Sequence, residues 1–280
     1  MFTKFSNSWN LVKASWQVLK ADKELIIFPI LSFVALTIVT IGFFVPIFLF
    51  GYFNPNSVND SKPFFYLLGF LMYFICYTII IFSNTALVSA ALIRMRGRNP
   101  SLADGFNFAL KRIRQILGYA LISATVGIIL KALSERGGLF GKIASAIANM
   151  AWNIVTFLVI PVLVVENIGP IDAIKRSAQL LKKTWGEQLI GNFSIGFVFG
   201  LMIFLSILIS VPIFMLAASA ESVLIVIFVA LLLMILIVGL IFISTTLSSI
   251  YEAALYLYAV TGKTGGYFDG LMLQEAFRQK

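Results

Sequence analysis

Six long apolar stretches, poor in charged residues, alternate along the chain with shorter polar segments. A helix that crosses a membrane needs roughly 20 apolar residues, since the hydrocarbon core is about 30 Å thick and a helix rises about 1.5 Å per residue. The stretches that meet this requirement are 26–53, 64–93, 116–133, 143–165, 189–218 and 223–260. Because they lack the two-residue alternation of strands, they predict an all-α integral membrane protein with about six transmembrane helices in three hairpins.

Three amphipathic segments precede the first, third and fifth apolar stretches. Their apolar residues recur at steps of four and three, which places them on one stripe of a helix. The stripes are Phe5, Trp9, Val12, Trp16 and Leu19; Leu102, Phe106, Leu110, Ile113 and Leu117; and Ile171, Ile174, Ala178, Leu181 and Trp185. Basic residues occupy the opposite faces, as in cytoplasmic helices that lie in the lipid headgroup layer. The alternative is that each stripe packs against the ends of the transmembrane helices.

This pattern organises the chain as a single polytopic domain. Its predicted parts are an amphipathic helix in 1–25, a hairpin in 26–93, an amphipathic helix in 101–114, a hairpin in 116–165, an amphipathic helix in 170–187, a hairpin in 189–260 and a tail in 261–280. Ser101 and Pro170 favour helix starts at the second and third amphipathic segments. The first apolar stretch is expected to be a true span rather than a cleaved signal. The last is so long that it must tilt, break near Gly239 or project from the membrane.

Composition supports the membrane assignment, and the distribution of charge orients the chain. Apolar residues make up 60% of the chain and charged residues 12%, against about 45–50% and about 25% in soluble domains. The net charge is +9, and most lysines and arginines fall in the N-terminal segment, the second and fourth connections and the C-terminal tail. The positive-inside rule therefore predicts cytoplasmic termini in a plasma (inner) membrane protein.

Basic residues and tryptophans of the amphipathic segments are the predicted lipid contacts. They are Trp9, Lys13, Trp16, Lys20, Lys111, Arg112, Lys175, Arg176, Lys182, Lys183 and Trp185. Since these residues lie on helices tethered to the membrane, we expect anionic lipid as their partner and no nucleic acid.

Several kinds of chemistry are excluded by residue type. The chain has no histidine and only one cysteine, Cys76, so disulfides, Cys/His zinc sites and His-dependent catalytic groups are excluded. The Gly137-Gly138 and Gly265-Gly266 pairs lack the neighbours of a phosphate-binding loop. Carboxylates are too sparse for a paired acid–base or metal site. We therefore expect no metal, no cofactor and no enzymatic activity.

Polar residues inside the apolar stretches are the candidates for function, because burying them in hydrocarbon is costly. They are Asn84, Thr85, Ser89, Asn153, Thr245, Ser248 and Glu252. One hypothesis is that they converge on a polar, cytoplasm-facing cavity that binds an ion, a solute or a headgroup. The other is that they hydrogen-bond neighbouring helices, with Glu252 paired to a basic residue of an amphipathic helix.

Small residues at a spacing of four mark faces where helices can approach closely. Gly196 and Gly200 form one such pair, and Ala144 and Ala148 form another. These pairs predict close packing within one subunit, or alternatively the contact of a homo-oligomer.

Short sequence blocks resemble a known family. They are Ser8-Trp9 through Ser15-Trp16, Asp22-Lys23-Glu24-Leu25, Phe28-Pro29, Pro161, Val164-Val165-Glu166, Gly169-Pro170, Asp172-Ala173, Lys175-Arg176-Ser177, Trp185-Gly186 and Tyr251-Glu252-Ala253-Ala254-Leu255-Tyr256. Together they resemble an uncharacterised prokaryotic membrane-protein family, and the middle blocks are similar to six-span membrane domains attached to some glycerophosphodiester phosphodiesterases. The catalytic domain of those enzymes has no counterpart here, so the resemblance implies a six-helix membrane module without the enzyme.

Two classes of function remain open. The polar positions favour a channel, a transporter or a lipid-handling protein. The amphipathic segments favour a non-catalytic scaffold or lipid-surface-sensing module that binds partner proteins.

Overall fold

The computed structural model describes residues 2–53, 62–185, 195–219, 222–262 and 266–268, and in these residues the chain is helical without a β-strand. The α-helices are α1 (Phe2–Ala21), α2 (Ile27–Phe53), α3 (Lys62–Met95), α4 (Leu102–Lys111), α5 (Ile113–Arg136), α6 (Gly138–Thr156), α7 (Val159–Glu166), α8 (Pro170–Trp185), α9 (Ile195–Ser219) and α10 (Val223–Thr261), with a 3₁₀ helix at Lys23–Ile26. Six stretches are long and apolar enough to cross a membrane: Lys23–Leu49, Phe64–Met95, Ile113–Arg136, Gly138–Glu166, Val198–Ala217 and Val223–Thr261. These findings confirm an all-α architecture with six candidate spans.

The buried core lies at one end of the bundle, here called the basic end. It is formed by α1, α4, α7 and α8 together with the 3₁₀ helix, the first turns of α2, α5 and α9 and the last turns of α3 and α10. The central helix is α3, which packs against α1, α2, α4, α5, α7 and α10. Residues 85–92 of α3 and 253–257 of α10 are all buried. Alanine recurs in both stretches, and its small side chain lets neighbouring helices approach closely.

The opposite end, here called the far end, is marked by the turn at Gly137 between α5 and α6. Here α2 packs against α3, α5 against α6, and α9 against α10. Large apolar side chains nevertheless point outward, with Phe48 71%, Phe140 86% and Leu224 78% exposed. A water-soluble protein rarely exposes an apolar surface of this extent, whereas hydrocarbon accepts it. The exposed apolar surface on the far-end halves of the candidate spans is therefore suited to contact with lipid.

The last helix, α10, is continuous over 39 residues and does not break at Gly239. Its length is about 58 Å, about twice the hydrocarbon thickness. Apart from Val260 in the last turn, its exposed large apolar residues end at Ile241, and from Thr246 onward most positions are buried. The excess length therefore extends into the basic-end core, where the apolar side chains meet protein rather than lipid.

Helices α1, α4 and α8 form at the three amphipathic segments, and the two predicted starts are confirmed. The hydroxyl of Ser101 accepts the backbone N–H of Asp104 at 3.1 Å, and the Asp104 carboxylate accepts the backbone N–H of Ser101 at 2.9 Å. This capping box satisfies two N–H groups that a helix start leaves unpaired. The backbone N–H and the hydroxyl of Ser101 both donate to the Asp104 carboxylate, and these hydrogen bonds hold the pKa of Asp104 below its ordinary value of 3.8. The other predicted start, Pro170, is the first residue of α8.

The buried face of each of these helices is rotated partly away from the predicted apolar stripe. In α1, Leu11 and Val18 are buried beside the stripe residues Val12 and Leu19, whereas Trp9 and Trp16 are exposed. The buried lines of α4 and α8 contain the small residues Gly105, Ala109, Ala173 and Ser177, and the edges of these lines leave Leu110 and Ile171 exposed. In α4 and α8, small residues face the spans because they permit close contact between helices, so bulky apolar residues such as Leu110 and Ile171 remain at the outer edge.

The fourth apolar stretch is divided into α6 and α7 at Phe157 and Leu158. Proline at position 161 explains the break, because it has no N–H for the carbonyl four residues earlier and its ring collides with that carbonyl. The buried hydroxyl of Ser177 in α8 accepts the backbone N–H of Leu158 at 3.0 Å. The chain thus changes direction at the break, and the backbone N–H group that the break leaves without a helical partner remains hydrogen-bonded.

A second polar contact joins α7, α8 and α10. The Nε of Arg176 donates to both carboxylate oxygens of Glu166 at 3.0 Å, and the hydroxyl of Tyr256 donates to Glu166 at 3.2 Å. Glu166 is only 22% exposed, so this contact is shielded from solvent more than an ordinary surface ion pair. This contact links the basic end of α10 to α8 and to the last residue of α7.

Candidate functional site

A groove runs along the face of the bundle where α3, α5 and α6 meet. Helix α5 packs against both α3 and α6, whereas α3 and α6 make little direct contact with each other. Beyond the break, α7 does pack against α3. The groove therefore has α5 as its floor and α3 and α6 as its walls, and α7 closes it toward the basic end.

The inner part of the groove is a cavity of about 220 Å³. Polar side chains from all three helices line it: Tyr77 and Asn84 from α3, Tyr119 and Ser123 from α5, and Asn149, Asn153 and Thr156 from α6. Its remaining lining is largely apolar and includes Ile81 and Trp152. Such a mixture is typical of sites in which a few polar groups orient a ligand within an apolar wall.

The outer part of the groove is a wider cavity of about 500 Å³ near the far end. Its charged and hydroxyl-bearing lining residues are Tyr73, Tyr77, Lys131, Ser134, Glu135, Lys142 and Ser145. Tyr77, Gly127, Leu130 and Asn149 line both cavities, so the two adjoin along the groove. From Tyr119 to Glu135 the groove follows about 24 Å of helix axis, most of the roughly 30 Å of hydrocarbon.

This direction differs from the cavity that the sequence analysis expects. The polar positions in the sequence predict a cavity that opens toward the basic end, whereas these two cavities widen toward the far end. The reason is the packing of α7 against α3, which occupies the basic-end side of the groove.

Three side-chain amides in the groove are available for a ligand. No described residue hydrogen-bonds the side chain of Asn84, Asn149 or Asn153. Other polar groups there have partners: the hydroxyl of Thr156 donates to the carbonyl of Trp152 at 2.7 Å, and that of Ser145 to the carbonyl of Leu130 at 2.8 Å. Each amide can donate two hydrogen bonds and accept two, so the groove presents donors and acceptors at membrane depth.

Of the predicted cavity residues, the structure brings only Asn84 and Asn153 together in the groove. Thr85 and Ser89 are buried in the core, where the hydroxyl of Ser89 donates to the carbonyl of Ala86 at 2.8 Å. Thr245 and Ser248 are partly buried in α10 and line neither cavity.

Glu252 lies in the basic-end part of α10, beyond the exposed apolar positions of that helix. It is partly buried, and no described residue forms an ion pair with it. Its carboxylate interacts electrostatically with Tyr119, whose side chain also hydrogen-bonds the side chains of Ser123 and Thr156 in the inner cavity. Glu252 thus interacts with Tyr119, a residue of the cavity lining, but does not itself line either cavity.

Part of the polar wall that α6 provides was not predicted from the sequence. Lys142, Ser145 and Asn149 precede Asn153 and Thr156 at steps of three, four, four and three, a single polar stripe on one helix. That spacing was the signal by which the wall could have been found.

The predicted helix-packing pairs are not part of the close contact between α5 and α6 beside their turn. That contact involves Gly141, where an added Cβ would collide with the carbonyl oxygen of Leu133. Ala144 is exposed and Ala148 only partly buried, and Gly196 and Gly200 are both exposed. These four residues therefore leave their small faces open in the single chain.

The predicted lipid contacts are mostly exposed at the basic end. Trp9, Lys13, Trp16, Lys20, Lys111, Lys175 and Lys182 are exposed. Arg112 is partly buried over the Phe108 ring, 5.8 Å from its centroid, and Arg176 is paired with Glu166. The side chains of Lys183 and Trp185 lie outside the described part of the chain.

Among the described residues, no three of Asp, Glu or Cys come together in a group that could hold a metal ion. The model of DUF6159, a family of unknown function, matches residues 64–267, which include every residue that lines the two cavities. No curated protein and no solved structure matches the chain.

Proposed function

The chain belongs to DUF6159, a family of unknown function, and we propose that it moves a polar solute or a polar headgroup along the groove between α3, α5 and α6. The observation that carries this proposal is the line of amides without partners, which continues from Asn84 past Asn153 and Asn149 to Lys142.

The cost of leaving such groups unpaired supports a ligand or water in the groove. Transferring an amide from water to an apolar medium without a hydrogen bond costs roughly 2–7 kcal/mol, depending on the reference state. Structural polar residues of membrane helices avoid this cost by bonding to neighbouring helices, as Ser145 does. The three asparagines lack such partners among the described residues, so a polar species in the groove accounts for them better.

The proposed topology has three hairpins, α2–α3, α5–α6/α7 and α9–α10, with the basic end in the cytoplasm. The positive-inside rule supports this orientation, because most of the basic residues are at the basic end. In a plasma (inner) membrane the wide mouth of the groove then faces outward. The similarity of the middle blocks to membrane domains of glycerophosphodiester phosphodiesterases rests on those sequence blocks alone, and it adds no enzymatic step to this proposal.

A second candidate function, lipid-surface sensing, is favoured by the exposed edges of the amphipathic helices. Each edge alternates apolar and basic residues at steps of four and three: Trp9, Lys13, Trp16 and Lys20; Leu110, Arg114 and Leu117; Ile171, Lys175, Ala178 and Lys182. All of these are exposed except Ala178, which is partly buried. We propose that these edges lie in the headgroup layer and hold anionic lipid, which attracts each basic residue by about 1 kcal/mol.

The lipid edges can be tested by stability in nanodiscs of defined composition. We expect anionic lipid to raise the melting temperature of the wild type, and the double substitution Lys13→Gln and Lys20→Gln to reduce that rise. Arg136→Gln, exposed at the far end and outside both cavities, is the matched control and should retain it. Equal melting temperatures in neutral and anionic nanodiscs would contradict this second proposal.

The groove is tested by blocking the junction of its two cavities. Gly127 lines both cavities, and a Cβ there would lie 3.2 Å from the Tyr77 hydroxyl, so Gly127→Leu fills the passage. Gly42→Leu is the matched control, because Gly42 is exposed on α2 and has no atom within 4 Å of an added Cβ. Both variants are checked for an unchanged melting temperature before reconstitution.

The measurements are release of small trapped solutes and transbilayer exchange of labelled lipid in proteoliposomes. We expect the wild type and Gly42→Leu to exceed empty liposomes in at least one measurement, and Gly127→Leu to fall to the level of empty liposomes. Wild-type vesicles that match empty ones in both measurements would refute the proposal, and so would a fully active Gly127→Leu variant.

A further inference from the structure

We infer that the species in the groove is the phosphate-bearing headgroup of a phospholipid, which crosses the bilayer while its acyl chains stay in the surrounding hydrocarbon. This inference rests on the proposed function and names its substrate class. It follows from three properties of the groove: a lateral opening, a polar path along most of the membrane thickness, and an unpaired positive charge at the mouth.

The groove opens sideways, toward lipid. Asn149 and Asn153 are exposed although they belong to a candidate span. On the same helix, Ile143, Ile147 and Met150 are 52%, 65% and 50% exposed, so lipid reaches α6 immediately beside the polar stripe. Because α3 and α6 make little contact along the groove, a headgroup inside it can remain attached to chains outside it. A pore for free solutes would instead require walls on every side.

The polar path follows the route that a headgroup must take. A zwitterionic or anionic headgroup is strongly solvated, and moving it through hydrocarbon removes that solvation. The stripe from Lys142 through Ser145 and Asn149 to Asn153 places a polar side chain at nearly every turn of α6. Asn84 and Tyr119 continue the path on the facing helices. Each step offers a hydrogen-bonding group in place of water, which lowers the barrier to crossing.

The charges at the mouth favour a phosphate. Lys131 is engaged with Glu135 at 3.9 Å, one turn along α5. Lys142 lines the same cavity and forms no ion pair with a described residue. An ammonium group at the headgroup level is a point charge suited to phosphate. Since every phospholipid carries a phosphate, Lys142 would help to admit different headgroups rather than to select one.

The test uses purified full-length protein in vesicles that contain fluorescent phosphatidylcholine or phosphatidylglycerol labelled on an acyl chain. An impermeant reductant added outside bleaches only the outer leaflet unless lipids cross, and a trapped soluble dye reports leakage. Uptake of inorganic phosphate and release of small neutral solutes are measured in parallel. Together these arms distinguish a lipid headgroup from free phosphate and from other solutes.

We expect nearly complete bleaching of both lipids with the dye retained. The double substitution Asn149→Leu and Asn153→Leu should slow lipid exchange by about tenfold or more, the effect of losing two hydrogen bonds in the rate-limiting crossing. Lys142→Gln should slow it by a smaller factor. The matched controls are Asn107→Leu and Lys23→Gln, exposed residues outside both cavities, and they should exchange lipid like the wild type.

The outcomes separate this inference from the proposed function. Phosphate or solute flux that depends on Gly127, without lipid exchange, overturns the lipid assignment and leaves the groove as a solute path. Lipid exchange that is unchanged in the double asparagine variant also overturns the assignment, because lipid would then be crossing elsewhere. Absence of both lipid exchange and flux overturns the inference and the proposed function together.

Discussion

One buried hydrogen bond stabilises the break that Pro161 produces between α6 and α7, and Ser177→Ala removes it. The backbone N–H of Leu158 has the hydroxyl of Ser177 as its partner at 3.0 Å, and both residues are 0% exposed. Alanine would leave that N–H buried without a partner and without room for water. Losing one partner of a buried hydrogen bond costs about 1–3 kcal/mol, and the loss of the small hydroxyl adds little packing change. We therefore expect the free energy of unfolding to fall by this amount.

The measurement is reversible unfolding in mixed detergent micelles, followed by the fluorescence of the four tryptophans. Ser206→Ala is the matched control, because the hydroxyl of Ser206 donates only to the carbonyl of Met202 in its own helix. That variant should stay within about 0.5 kcal/mol of the wild type. If Ser177→Ala is as stable as Ser206→Ala, the N–H of Leu158 does not need this partner, and our account of the break is wrong.

Two further predictions concern α4. Gly105→Ala should lower the free energy of unfolding by about 1–3 kcal/mol, because the new Cβ would lie 2.6 Å from the Phe28 ring and 2.9 Å from the backbone oxygen of Ala86; Gly69→Ala, with no atom within 4 Å, should cost nothing. The capping box should be acid-labile: since the folded-state pKa of Asp104 lies below 3.8, its contribution is complete above that pH and is lost as the pH falls through the lowered value. Hydrogen-exchange protection at the first turn of α4 should therefore drop in acid for the wild type, and Asp104→Asn should remove that dependence.

Local chemistry explains which helix features were predictable. Ser101 and Pro170 mark helix starts because the groups that satisfy or tolerate an unpaired N–H are within three residues of it. The spans could be recognised because length and apolarity are enough to cross hydrocarbon. The rotation of α1, α4 and α8 was not predictable from their stripes. Which face packs depends on the shape of the neighbour, and at Gly105 the neighbour is the Phe28 ring.

The candidate site was only half predictable for a similar reason. Asn84 and Asn153 stand out in the sequence as isolated amides in apolar stretches, and both line the groove. Thr245, Ser248 and Glu252 stand out equally but lie in a part of α10 that packs against protein. Apolarity alone cannot separate a lipid-facing turn from a core-facing one, because both environments exclude water.

The amino-acid sequence is sufficient to establish a chain of membrane helices, its six candidate spans and the residue types available for chemistry, because each of these depends on composition within a few turns. The groove depends on where helices distant in sequence come to lie. Pro161 allows the chain to bend, but only the packing of α7 on α3, with α6 held apart by α5, separates the two walls. That arrangement results from the fit of many side chains at once, and so it is found in the tertiary structure and not in any one segment.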